Sequence, residues 1–204
     1  YPSRARATTG EGKTDEPQIQ YPVPQQMEQP ASVITQSEQE NKTLPVLDKS
    51  NGFIEKELRH LYDEQKLWDL FLLENLIPNF VVTIDNMTEN KLPLKYRITK
   101  PPVGQFQTVK DATGNEFIDQ KNYGRYIHYI DLADAVDIRR LVSFYVRHYD
   151  LFQQAYRDLG YPDRYFNDRF VQVLDHLLTA PEVRAPIRLV RPKVTYQFAD
   201  PELE

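Results

Sequence analysis

Apolar residues are spread unevenly along the chain. The first leucine is Leu44, and before it Pro2, Pro17, Pro22, Pro24 and Pro30 stand among Gln, Glu, Ser and Thr. Such a stretch buries too little apolar surface to offset about 1–2 kcal/mol of backbone entropy per residue. Residues 1–46 therefore predict a disordered Pro/Gln-rich linker, extended around Tyr21-Pro22-Val23-Pro24. A spacer is favoured over a Pro-rich ligand for another domain, because no PxxP pair with a flanking arginine stands out. From 47 to 204 the apolar residues recur at structural spacings, which predicts a single helix-rich globular domain.

Its first helix is expected over 51–62, capped by Asp48, Ser50 or Asn51, with Phe53, Ile54, Leu58 and Leu61 on one face. A second follows on the stripe Leu67, Trp68, Leu70, Phe71 and Leu72. Between Pro78 and Met87 two periods compete. Phe80, Val82 and Ile84 alternate as in a strand, while Ile77, Phe80, Val81, Ile84 and Met87 keep helical spacing; Pro78 in a first turn and the unbroken run from Leu76 favour the helix.

From Leu92 to about Asp131 the pattern changes to Pro, Gly and short β-forming runs. Gln105–Val109 and Glu116–Asp119 flank Asp111-Ala112-Thr113-Gly114 and predict a hairpin. Tyr123, Tyr126 and Tyr129 fall in a linking loop. One long helix is then expected from Leu132 to Leu159. Asp131, Asp134 and Asp137 stand at its start, Gly160 stops it, and Ile138, Val142, Tyr145, Tyr149, Phe152, Tyr156 and Leu159 form its seam. Another runs from Asp163 or Arg164 to Thr179, with Phe166, Phe170, Val173, Leu174 and Leu177 inward. Ile187–Val190 and Val194–Phe198 read as extended, and Asp200-Pro201-Glu202 has the form of a helix start. The fold class is thus mainly α with a small β component (α+β). A start without methionine and a helix start at Asp200 lead us to expect chain on either side of Tyr1 and Glu204.

Charge and composition narrow the functions. The 25 basic and 30 acidic residues give a mildly acidic chain with no Lys/Arg block suited to a phosphate backbone, so nucleic acid is not an expected partner. The absence of cysteine removes disulfides, thiolate nucleophiles and Cys-ligated metals. No run of eighteen apolar residues is present to span a bilayer. No GxGxxG, Walker loop, GxSxG, HExxH or EF-hand pattern occurs. His60, His128, His148 and His176 are too scattered for a metal site. Neither a cofactor nor a metal is expected.

Chemistry-bearing groups concentrate in Gly160–Arg169. Tyr161, Asp163, Arg164, Tyr165, Asn167, Asp168 and Arg169 are the candidate binding residues, with His176 further along the same helix. Arg184, Arg188 and Arg191 are expected to fold back towards this acidic face, making a cleft in which arginines take an anion or a carboxylate acts as a base. The competing reading is a capped, salt-bridged helix surface contributing little beyond rigidity.

Leu151-Phe152-Gln153-Gln154-Ala155-Tyr156, Leu159-Gly160-Tyr161-Pro162, Tyr165-Phe166-Asn167-Asp168-Arg169, the C-terminal stretch Ile187–Val194 with Phe198–Glu204, and the earlier block Val81–Asn86 together resemble the bacterial domain-of-unknown-function family 3014. The resemblance spans roughly 44 to 204. It implies a layout of membrane anchor, Pro-rich linker and domain in Gram-negative bacteria, hence a periplasmic domain attached to the inner membrane by an upstream segment. It implies no activity and no catalytic residues.

Three functions follow as expectations. The first is a non-enzymatic interaction module, monomeric, that binds a protein or cell-envelope component. The second is an envelope hydrolase or transferase using Asp168 with His176 or Asp175. The third is an oligomerisation module built on the tyrosine seam.

Overall fold

The computed structural model describes residues 18–24, 44–61, 68–89 and 93–203. Most of the expected linker lies outside them. The described residues form six α-helices and a four-stranded antiparallel sheet, an architecture that is mainly α with a small β component.

A 3₁₀ turn at Leu47–Lys49 leads into α1, Asn51–Arg59. Neither Ser50 nor Asn51 caps this helix with its side chain. The Ser50 hydroxyl donates to the Leu47 carbonyl at 2.7 Å, and the Asn51 side-chain oxygen accepts the Leu76 N–H at 3.0 Å. Asn51 therefore satisfies an open donor at the start of α2, Leu76–Asn86, from across the fold. In α2 the helical period prevails. Leu76, Ile77, Val81 and Ile84 are buried together, whereas strand alternation through Phe80, Val82 and Ile84 would turn Val81 outward.

The helix expected over Leu67–Leu72 is not continued. Residues 62–67 lie outside the described ones, and at Phe71 the chain makes an isolated β-bridge. Leu72 N–H donates to the Ile98 carbonyl and Lys100 N–H to that of Leu70, each at 2.8 Å, with Phe71 bridged to Thr99. These bonds between two stretches of the same chain take the place of the i to i−4 ladder.

The single helix expected from Leu132 to Leu159 is three: α3, Ile127–Ala135; α4, Ile138–Arg147; and α5, Tyr149–Asp158. Val136 is extended, and the Asp137 carboxylate accepts the Arg139 and Arg140 N–H groups at 2.9 and 3.2 Å, which starts a new helix. His148, at φ −107° and ψ 12°, makes the second break. Tyr145, Tyr149, Phe152 and Tyr156 keep their places in or against the core, but Ile138, Val142 and Leu159 are exposed. The region of Tyr123, Tyr126 and Tyr129 is a 3₁₀ segment, Gln120–Tyr126, running into α3.

The last helix, α6, spans Phe166–Leu178 and starts later than expected, so Asp163 does not cap it. Phe166 and Val173 are buried and Phe170 packs against the core, while Leu174 and Leu177 are exposed. Helices α2, α5 and α6 enclose an aromatic cluster. The Phe80 ring meets Phe152, Phe166 and Phe170 edge-on at 5.6, 6.3 and 5.8 Å, and each such pair contributes about 0.5–1.5 kcal/mol beyond its burial.

The expected hairpin forms as β1, Thr108–Lys110, and β2, Glu116–Ile118. Asp111 organises its turn by accepting from Thr113 and Asn115, bonds that lower its pKa to about 2. Strand β3, Arg188–Val190, pairs antiparallel with β2, and β4, Gln197–Phe198, pairs with β3. Asp200 accepts the Glu202 N–H at 3.1 Å and caps a 3₁₀ turn at Pro201–Leu203.

Candidate functional site

Helix α5 is terminated past its Leu159 cap by Gly160, whose φ of 116° suits glycine alone without strain, and Tyr161 N–H closes the turn on the Tyr156 carbonyl at 3.3 Å. The loop that follows is held by Gln153, a buried amide on α5. Its oxygen accepts the Phe166 N–H at 2.9 Å and the Tyr149 hydroxyl at 2.8 Å, and its nitrogen donates to the Arg164 carbonyl at 2.8 Å. A buried amide so fully paired specifies one loop conformation.

That loop sets the first turn of α6, where three consecutive side chains point three ways. Arg169 reaches α2: it pairs with the Asp85 carboxylate at 3.2 Å, donates to the Asp85 carbonyl and donates to the Thr88 hydroxyl at 2.8 Å. Asn167 points inward and is buried, its oxygen accepting the Tyr145 hydroxyl at 2.9 Å. Burial raises the Tyr145 pKa far above its ordinary value, so the phenol stays a donor. That fixes the Asn167 amide with its nitrogen outward.

Asp168 faces outward and is occupied by the chain itself. Its two oxygens accept the main-chain N–H groups of Gln20 and Tyr21 at 3.1 and 2.6 Å. The outward Asn167 nitrogen donates to the Tyr21 carbonyl at 2.8 Å. A segment of the expected linker thus lies against the domain.

Beside it is a groove of about 570 Å³ lined by Gln18, Gln20, Asp85, Glu89, Tyr156, Tyr161, Asp163, Arg164, Tyr165, Asp168, Arg169 and Gln172. Tyr161 donates to Asp85 at 3.2 Å, and the Asp85 charge raises its pKa, with burial adding to the effect. Tyr161 stacks on Tyr156 at 4.6 Å, whose own pKa is pushed up to about 12 by burial, and Arg164 lies over the Tyr161 ring at 5.5 Å.

Tyr161, Asp163, Arg164, Tyr165, Asp168 and Arg169 therefore share one groove, with Asn167 beneath it. The other candidates lie elsewhere. His176 and Asp175 are exposed near the end of α6 and do not line the groove. The expected return of Arg184, Arg188 and Arg191 does not occur, because β3 carries the chain to the hairpin instead. Arg188 donates to the Asn115 side chain at 2.8 Å, and Arg191 donates to the Val194 carbonyl and lies over the Tyr196 ring. Sequence reasoning assigned no part in the site to Asp85, Gln153, Tyr145 or the segment Gln18–Tyr21. Asp85 carried a signal, as an acid placed directly after the largely apolar stretch Val81-Val82-Thr83-Ile84.

The model of a family described as protein of unknown function, DUF3014, matches residues 76–204. The chain belongs to the DUF3014 family. The DUF3014 match opens at the first residue of α2, so it holds Asp85, Gln153 and the whole first turn of α6 but neither α1 nor Gln18–Pro24. Searches of curated proteins and of solved structures find no match.

Proposed function

We propose that this DUF3014 protein is a non-catalytic binding module whose ligand is an extended peptide main chain, offered by a protein partner in the cell envelope. One observation carries the reading: the Asp168 carboxylate receives N–H groups from two successive residues while the neighbouring Asn167 amide engages the carbonyl of the second. These three bonds address the main chain and leave the ligand's side chains free to vary. Hydrogen bonds to a charged group contribute about 1.5–3 kcal/mol each, enough for binding without a large interface.

The hydrolase reading is weaker. It pairs Asp168 with His176 or Asp175, and both of those residues are exposed near the end of α6, outside the groove. The oligomerisation reading needs a free tyrosine seam, and Tyr145, Tyr149 and Tyr156 are committed to the domain's own core. We take the domain as a monomer. Periplasmic location and attachment to the inner membrane through an upstream segment remain part of the proposal, supported by the family layout.

The probe is a fluorescein-labelled peptide with the sequence of residues 18–24, added to a full chain in which those residues are replaced by Gly and Ser. Fluorescence anisotropy is expected to show saturable binding that Asp168→Asn weakens tenfold or more. The asparagine would turn an amide nitrogen towards a main-chain donor. Absence of saturable binding to the Gly/Ser-replaced chain with Asp168 unchanged would overturn the proposal.

A further inference from the structure

We infer that Gln18–Pro24 is an intramolecular latch, a resident ligand that occupies the Asp168 groove in cis and that a partner peptide must displace. The inference rests on the peptide-binding reading and adds how the site is regulated.

The segment has the properties of a removable occupant. It is held by main-chain bonds to Asp168 and Asn167, with Tyr21 and Val23 half-buried, while Gln18, Ile19, Gln20, Pro22 and Pro24 are exposed. The Gln172 amide reaches the Gln20 side chain only at 3.4 Å. Few contacts mean weak intrinsic affinity, and none of the three strong bonds reads a side chain. Any extended segment with two successive N–H groups and a following carbonyl offers the same atoms.

Its sequence is also prepared for the bound form. Pro22 biases Tyr21 away from helical backbone, and Pro22 and Pro24 hold their own φ near −65°, so ordering the segment costs little entropy. Neither proline removes a donor the groove uses, since both N–H groups belong to Gln20 and Tyr21.

Tethering turns weak affinity into occupancy. A short linker presents its segment at an effective concentration on the order of millimolar. A cis ligand with an intrinsic dissociation constant on the order of 0.1 mM would fill the groove most of the time. A competing peptide would then bind the intact chain about tenfold more weakly than a chain whose latch is erased.

The test uses the full chain throughout and reads two quantities. Hydrogen exchange at the Gln20 and Tyr21 amides reports the latch, and anisotropy with the residue 18–24 peptide reports the competition. In the intact chain both amides are expected to be protected about tenfold relative to Asp168→Asn, with partial recovery in Asp168→Glu. The peptide is expected to bind about tenfold more tightly once residues 18–24 are replaced by Gly and Ser. If Gln20 and Tyr21 exchange at the same unprotected rate in the intact and Asp168→Asn chains, the latch is overturned, whatever the peptide does. If they are protected but the peptide binds both chains equally, the competition is overturned. If they are protected and the peptide binds neither chain, the binding reading of the preceding section fails while the intramolecular contact stands.

Discussion

His148 is fully buried, packed between the Phe144 ring at 4.4 Å and the Phe53 ring at 5.5 Å. Its Nδ1 lies 2.8 Å from the Phe144 carbonyl and its Nε2 has no partner, so the neutral ring protonated at Nδ1 is the form that fits. Burial lowers its pKa, against smaller opposing effects of the Phe144 carbonyl and Glu57, with Arg147 adding to the lowering. A folded pKa below the unfolded one means that unfolding takes up a proton in acid. The stability tied to His148 is complete above about pH 6.5, the ordinary histidine value, and is lost as the pH falls from there through the folded pKa. Urea midpoints are expected to decline between pH 7 and 5, with a shallower decline in His148→Phe. The phenylalanine keeps the ring contacts, and the Phe144 carbonyl still accepts the residue 148 main-chain N–H. An equal slope in both proteins would refute the assignment. None of this is legible from a lone histidine in a sequence. By contrast, the richness of Tyr161–Arg169 in binding groups is visible there, since it depends only on residue type.

At the scale of elements, the breaks around α4 show where periodicity loses sight of the backbone. Tyr145, Tyr149, Phe152 and Tyr156 keep their alternating spacing straight through His148, because a single residue that leaves helical geometry hardly changes the face its neighbours present. Asp137 offered a better clue. Its capping chemistry is legible, but three aspartates in one stretch hide which of them receives N–H groups, and only Asp137 follows an extended residue. Replacing Asp137 with Ala is expected to cost about 1 kcal/mol through the lost cap, which corresponds to roughly 2–4 °C in a chain of this size. Calorimetry or urea denaturation would measure it. Asp134→Ala serves as the control and should stay within about 0.5 kcal/mol.

At the scale of the whole molecule, the site is a product of packing. Phe80 on α2 touches aromatic rings of both α5 and α6, so it sets the distance between the helix carrying Asp85 and the one carrying Arg169. Phe80→Ala is expected to destabilise the domain by about 3 kcal/mol, towards the low end of such truncations because the residue is half-buried. It should also weaken peptide capture, as the Asp85–Arg169 pair no longer holds the first turn of α6 in place. Urea denaturation and anisotropy on the same preparation check both effects; full capture in a destabilised variant would separate the groove from the core.

What the sequence determined by itself is whatever depends on neighbours along the chain. Helical character in α1, α2 and α6 follows from local spacing, the hairpin from a turn between β-forming runs, and family membership from residue order. Only the tertiary structure decided that β3 pairs with β2, which draws Arg188 and Arg191 away from the groove, and that Gln20 and Tyr21 meet Asp168. The reason is the same in both cases. Main-chain N–H and C=O groups are identical at almost every residue, so a site made from them leaves no mark in the pattern of side chains until folding brings the partners together.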